Sequence, residues 1–451
     1  MYDKWSDPLV SFKHAKFNSR VCELPRNVKF YNLFLAAHRT DKDREEIPRG
    51  SMGDLRVMWR RSAVHPEPPE EILRPPVFLP EKLLTSPGPT NCSDRVLRSL
   101  GQQMIGHFHS EMCQLLDDIK AGVQYAFQTR NRLTLALSTS GHGGIEACLD
   151  NLLEPGETVL IAKCGFWGER AVDIADRIGA NIKLLETALG VPFDHAALKE
   201  ALEKHQPAVV FVTHGESSTG MRQPLEGVGE LVHKYGALLI VDAVTSVGGE
   251  PFFMDAWEVD ATFTGSQKAL GAPPGLTPVS FSPRAETKIF RRTTRPAYYW
   301  DLKVLGDYWD CFGASRRVYH HTISPTLVYG LRTALMQLAE EGLPASWARH
   351  AAAALKFREG LREMGLQCYV EDPRYRMTTV TSIKLPLGIN SDVLIERAMK
   401  KYSVEISRGL GPTVGKVLRV GLMGINAQTD IVHRVLSALH DGLQCALKAK
   451  M

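Results

Sequence analysis

Ala237-Leu238-Leu239-Ile240-Val241-Asp242 decides the fold. Its apolar residues follow one another without a polar residue at alternate positions, so a strand here has no face left for water. Strands buried on both faces belong to the mostly parallel sheets of α/β proteins, which carry helices on either side. The run also ends on a carboxylate. In open sheets of this kind ligands bind beyond the carboxyl ends of the strands, which puts Asp242 where chemistry is expected. A helix N-cap or a salt bridge is the plain reading of Asp242, because a buried carboxylate without a partner costs several kcal/mol.

The pattern repeats on both sides. Residues 133–137 read as a buried strand, followed by a helix with Ile145, Cys148, Leu149, Leu152 and Leu153 on one face, stopped by Pro155-Gly156. Strand 158–162 leads to helix 167–178. Strand 182–185 leads to helix 194–205, with Asp194 as its N-cap. Strand 208–213, helix 225–235, strand 261–264 and strand 276–281 complete the series. Ahead of it, Met112, Leu115, Leu116, Ile119, Val123 and Phe127 recur at helical spacing. Beyond it an amphipathic stretch, 326–365, crosses to strands 381–385, 404–407 and 417–422. A helix with Val432, Val435, Leu436, Leu439 and Leu443 inward closes the chain. These boundaries predict an irregular extension over 1–76, a large α/β domain over 77–325 and a smaller α/β domain over 326–451.

Composition narrows the function. The 451 residues are 44% apolar and 23% charged, with a formal net charge of +4, which is ordinary for a globular chain and argues for no nucleic acid partner. The eight cysteines form no C-x-x-C pair and fit a reduced interior better than a disulfide framework. No apolar run is long enough to span a bilayer, so no membrane partner is expected. Ala449-Lys450-Met451 is close to the serine-lysine-leucine address, which predicts a peroxisomal import receptor as partner and a peroxisomal location. Residues 1–75, ending in the proline-rich approach to Pro75-Pro76, keep a mitochondrial alternative open.

The other strand ends add to Asp242. Ser138-Thr139-Ser140-Gly141-His142-Gly143-Gly144 runs straight into a helix, and small residues there leave N–H groups free for an anion. It is neither a P-loop nor a dinucleotide fingerprint. Cys164-Gly165-Phe166-Trp167-Gly168 brings a flat indole to the same edge. His214-Gly215-Glu216-Ser217-Ser218-Thr219-Gly220 brings hydroxyls, and Thr262-Phe263-Thr264-Gly265-Ser266-Gln267-Lys268 brings one lysine. Singly these read as a turn, a core tryptophan and a surface lysine. Together they are the parts of a pyridoxal phosphate site: a Schiff-base lysine, a carboxylate for the pyridine nitrogen, an aromatic plate and a phosphate cradle.

From about residue 77 onward the chain resembles the alanine–glyoxylate and serine–pyruvate aminotransferases, in class V of the fold-type I pyridoxal phosphate enzymes. The matching stretches are 86–91, 140–146, 166–170, 214–220, 241–249, 265–270, 319–323 and 418–421. The resemblance implies Lys268 as Schiff base and proton carrier, Asp242 on the ring nitrogen, Trp167 stacked on the ring and Ser217 on the ring oxygen. It implies Ser140, Gly141, His142 and Gln267 on the phosphate. Tyr319 and Thr322 would reach the phosphate of a neighbouring subunit, which makes the expected partner a second copy in a homodimer with shared sites. Arg419 would clamp the substrate carboxylate, as suits a planar guanidinium. Ser86 departs from the family's usual glycine and is expected to bear on which amino donor fits.

The implied reaction moves an amino group from alanine or serine to glyoxylate or pyruvate. A 3-hydroxykynurenine or kynurenine transaminase on the same scaffold is the alternative, and a non-catalytic relative a more distant one. No metal is expected, since His107-Phe108-His109 and His320-His321 lack supporting ligands. The glycine-rich run from Gly409 to Val417 fails the nucleotide-loop spacing. Cys311 is the nearest candidate for a desulfurase nucleophile.

Overall fold

The computed structural model describes residues 68–75, 79–313 and 316–448. Met1–Leu79 and Pro80–Met451 are two separate units. In the first, Glu70–Leu73 makes one exposed helical turn. Residues 1–67 and 76 of the extension expected over 1–76, like the terminal tripeptide 449–451, lie outside the described residues.

The second unit is built on a sheet of β1 (Leu133–Leu137), β2 (Thr158–Lys163), β3 (Asn181–Glu186), β4 (Val209–Thr213), β5 (Leu238–Asp242), β6 (Ala261–Phe263) and β7 (Thr277–Phe281). Their spatial order is β1-β7-β6-β5-β4-β2-β3. Neighbours from β6 to β3 run parallel. β7 is antiparallel to both β1 and β6. The reversal has a local cause: no helix separates β6 from β7, and without a crossover the chain returns beside β6 in the opposite sense. The connecting loop therefore stays at the carboxyl edge, and it carries Lys268.

α1 (Ser110–Phe127) precedes β1, and between the strands run α2 (Gly141–Leu152), α3 (Phe166–Ile178), α4 (His195–His205) and α5 (Val228–Lys234). β1, β4, β5 and β7 are buried along their whole length, including Thr134 of β1 and Thr277 and Ser280 of β7. β3 stands at the sheet's edge, and its Asn181, Leu184 and Glu186 are partly or fully exposed. Register levels the functional ends: Asp242 lies opposite Thr213 on one side and Phe263 on the other.

Two helices follow, α6 (Pro325–Glu341) and α7 (Leu343–Glu363), in place of one amphipathic stretch. Gly342, at φ +84°, breaks them apart with Pro344 just beyond. The large core runs past residue 325. Val328, Leu331, Ala334, Leu335, Leu338 and Leu343 all belong to it, whereas Ala353, Phe357 and Leu361 of α7 enter the second core. By packing, the two cores part within α7.

The smaller core lies between α7, α8 (Ser391–Tyr402), α9 (Thr429–Lys448) and a sheet of β8 (Val380–Lys384), β9 (Ser407–Arg408) and β10 (Val417–Gly421), in the order β8-β10-β9. The strand expected over 404–407 is split in two. Val404–Glu405 pairs in parallel with Leu83–Leu84, and Ser407–Arg408 pairs with β10. The chain changes partners at Ile406 because the segment from Leu83 onward occupies the first half. That segment then runs to the loop after β6, where Thr90 N–H donates to Gln267 O at 3.0 Å.

Candidate active site

The loop after β6 is pinned before it presents its lysine. Thr264 N–H donates to Pro278 O at 3.0 Å, and Ser266 Oγ donates to Pro273 O at 2.6 Å. Lys268 is half-buried, and its amine donates to Pro87 O. Burial lowers that amine to about 8; the charge of Arg419 adds to the effect and Asp242 opposes it. A lysine brought down this far has a sizeable neutral fraction near neutral pH, as a nucleophilic amine needs.

Asp242 is 2% exposed. One carboxyl oxygen accepts from Val244 N–H at 2.9 Å, and no described residue donates to the other. Burial pushes the carboxyl to about 7; the Val244 N–H and the Lys268 charge resist, and the charge of Glu216 adds to the rise. Such a group calls for a cationic partner, and a protonated pyridine nitrogen supplies one.

The phosphate cradle starts at Ser140, the N-cap of α2, whose hydroxyl makes no capping bond. Gly143 and Gly144 are dictated by packing. A Cβ on Gly143 would lie 2.2 Å from Thr139 Oγ1, and one on Gly144 would lie 2.7 Å from the Phe263 ring. At Gly141 the nearest atom would be 3.3 Å away, on Val244. Gln267 Oε1 is buried without a partner. A turn of that amide would offer N–H groups to an anion, so the residues present suit a phosphate. His142 stands edge-on to Trp167 with ring centres 5.4 Å apart, and burial, then Arg170, lowers its pKa.

Trp167 Nε1 donates to Ser217 Oγ at 2.8 Å. Ser217 thus anchors the aromatic plate, and its own proton remains available for a ring oxygen. Arg419, on β10, is 8% exposed and bonds through Nε to Arg408 O at 2.8 Å and through Nη1 to Ser217 O at 3.3 Å. No described residue accepts from Nη2. Burial lowers the guanidinium to about 10, against the opposing charge of Glu216, so it remains a cation in neutral solution.

Ser86 is buried, and its carbonyl packs so closely on β10 that a Cβ on Gly421 would lie 2.3 Å from it. Its hydroxyl lowers the pKa of Glu405, which burial raises. Tyr319 and Thr322 are not joined to the cradle of their own chain. They hydrogen-bond each other at 3.2 Å on the exposed surface, with Tyr319 against His107 and Phe108. Burial pushes the Cys311 thiol up to about 11, which removes it as a nucleophile. Two parts were not assigned from the sequence: the Pro87 carbonyl under the lysine, and Glu216, which is fully buried. Glu216 lies inside a stretch read for its hydroxyls, and nothing local distinguishes a buried glutamate from a solvated one.

A lysine with a lowered pKa, a terminal aspartate and a buried arginine meet at one sheet edge. The class-V aminotransferase family matches residues 84–433. The chain belongs to the class-V aminotransferases. It is 47% identical over 379 residues to the alanine–glyoxylate aminotransferase of Drosophila melanogaster, covering 84% of this chain and 96% of that one. Among solved structures, the alanine–glyoxylate aminotransferase of Nostoc sp. is similar at a TM-score of 0.81 and 41% identity, covering 84% of this chain and all of that one. The ureidoglycine–glyoxylate aminotransferase of Bacillus subtilis is similar at 0.78 and 32%, covering 82% and 98%. The doubly covered sheet expected from 237–242 is thus the scaffold of a class-V aminotransferase.

Proposed function

We propose that this class-V aminotransferase binds pyridoxal phosphate and moves an amino group from alanine, or serine, to glyoxylate, or pyruvate, giving glycine and pyruvate in the alanine–glyoxylate case. The observation that carries the reading is Lys268, held on the loop after β6 with its amine on Pro87 O and lowered to about 8 by burial, then by Arg419, against Asp242. The alanine–glyoxylate aminotransferases among its relatives supply the substrates.

When bound, pyridoxal phosphate supplies an aldehyde carbon and a protonatable ring that takes up electrons from the substrate's α-carbon. Lys268 would attach the cofactor and would carry the α-proton in each half of the exchange. Asp242 would hold the proton on the ring nitrogen and so keep the ring electron-poor. Trp167 would cover the ring and Ser217 would donate to the ring oxygen. Ser140, Gly141, His142 and Gln267 would hold the phosphate. Arg419 receives the carboxylate of each substrate in turn through its free N–H groups. Ser86, beside Glu405, bears on which amino donor fits.

The working form is a homodimer in which Tyr319 and Thr322 complete the partner's cradle. In support, Tyr319 is half-exposed against the partly exposed ring of Phe108, and Val318 beside it in the chain is half-exposed as well. Ala449-Lys450-Met451 directs the enzyme to peroxisomes; a fluorescent fusion that stays mitochondrial with and without these residues overturns that address.

Initial rates with alanine, serine and 3-hydroxykynurenine, each against glyoxylate and pyruvate, test the substrate assignment. Alanine with glyoxylate should be fastest, and Lys268→Ala should abolish turnover in a folded protein. A marked preference for 3-hydroxykynurenine, or near-normal rates in the lysine variant, defeats the proposal.

A further inference from the structure

Glu216 is 0% exposed and faces three donors. Its Oε1 accepts from Ser218 N–H at 2.9 Å and from Ser218 Oγ at 2.6 Å. Its Oε2 accepts from Trp167 N–H at 3.1 Å. Ser218 Oγ in turn accepts from Phe166 N–H at 3.2 Å. Phe166 and Trp167 open helix α3, whose N-cap is Gly165 and which has no side-chain cap of its own. A Cβ on Gly165 would lie 2.4 Å from the Glu216 carboxyl carbon, so the glycine leaves room for the carboxylate. The end of α3 is therefore capped from another strand end, by a carboxyl group at the positive pole of the helix dipole. Burial raises the pKa of that group, and the Ser218 and Trp167 donors and the Arg419 charge oppose the rise.

What this cap holds is the cofactor plate. Trp167 is fixed at its backbone by Glu216 and at its indole by Ser217, the next residue in the chain. The same short loop meets Arg419 through the Ser217 carbonyl. We propose that Glu216 is a positioning residue: its carboxyl group caps α3 from a neighbouring strand end and sets the plane of Trp167 over the ring. This inference rests on pyridoxal phosphate being the ligand of the cleft.

The test uses the full chain freed of cofactor, with pyridoxal phosphate itself as probe. Affinity is read from quenching of tryptophan fluorescence, and the seating of the ring against Trp167 from the visible circular-dichroism band of the loaded protein. Glu216→Gln keeps the shape but turns one acceptor of the cap into a donor. Its affinity should fall about tenfold, as loss of a hydrogen bond to a buried carboxyl group implies. The visible circular-dichroism band should change in amplitude, because the plate over the ring is no longer held in its plane. Gly165→Ala, which pushes the carboxyl group off Trp167 N–H without altering Glu216, should move both readouts in the same direction. Parent-like affinity and band in Glu216→Gln overturn the proposal, as does a lowered melting temperature with both readouts unmoved. Failure of the parent chain to bind pyridoxal phosphate would instead strike the reading beneath it.

Discussion

Lys268 owes its chemistry to neighbours that are far away in the chain. The dry setting and the charge of Arg419 push its amine down, and the half-ionised Asp242 only partly restores it. The sign gives a measurable consequence. Below pH 8 the amine is mostly protonated and cannot attack; above 8 it is mostly neutral. The rate at which cofactor-free protein takes up pyridoxal phosphate should rise roughly tenfold from pH 7 to pH 9 and level off, with its midpoint near 8. A rate that keeps climbing past pH 10, as an ordinary lysine would give, contradicts the assignment. Lys268, Asp242 and Trp167 stand out in the sequence because each follows or ends a predicted strand, whereas Arg419 was named only through the family resemblance. Glu216 does not stand out, since its burial depends on Gly165 making room for it.

The elements obey local rules wherever contacts are local. β1 and α3 fall within a residue of expectation, because apolar runs, helical spacing and the Gly179 stop act along the chain. Expectation failed where a second segment intervened. Residues 404–407 read as one strand, but Leu83–Leu84 claims half of it. The fit of α2 on the sheet is close enough to test. Gly144→Ala would drive a methyl to 2.7 Å from the Phe263 ring and 2.8 Å from Thr277. Stability measured by urea unfolding should drop by about 1–3 kcal/mol, the usual cost of overpacking. An unchanged unfolding midpoint would mean that α2 does not press on β6 and β7 as described.

The Pro80–Met451 unit joins a large and a small core, with the segment after Leu83 leading from one to the other. Lys268 lies on the first, Arg419 on the second, and the loop at Pro87 touches the lysine. If the sites are shared between subunits, two dead proteins can rescue each other. Lys268→Ala supplies intact Tyr319 and Thr322, and a Tyr319→Ala/Thr322→Ala double variant supplies an intact lysine. Unfolded and refolded together in equal amounts, they should recover about a quarter of parental activity, from the one complete site in each mixed dimer. Mixed dimers that form without regaining activity exclude the shared site.

Apolar runs, helical periodicity, and the small residues at strand ends were enough to specify a covered parallel sheet, its carboxyl edge and the residue types gathered there. Those signals are local: a strand without a polar face must be buried, whatever surrounds it. Sheet order, the switch of partners at Ile406, the parting of the cores within α7 and the cap that Glu216 places on α3 came from the folded chain. Each depends on which distant segments meet, and a pairing between residues 165 and 216, or 83 and 404, leaves no periodic trace in either stretch. The run at 237–242 shows both sides of this division. Its burial is written in its own side chains, whereas the charge its aspartate carries depends on how deeply the fold buries it, then on the Val244 N–H, Glu216 and Lys268.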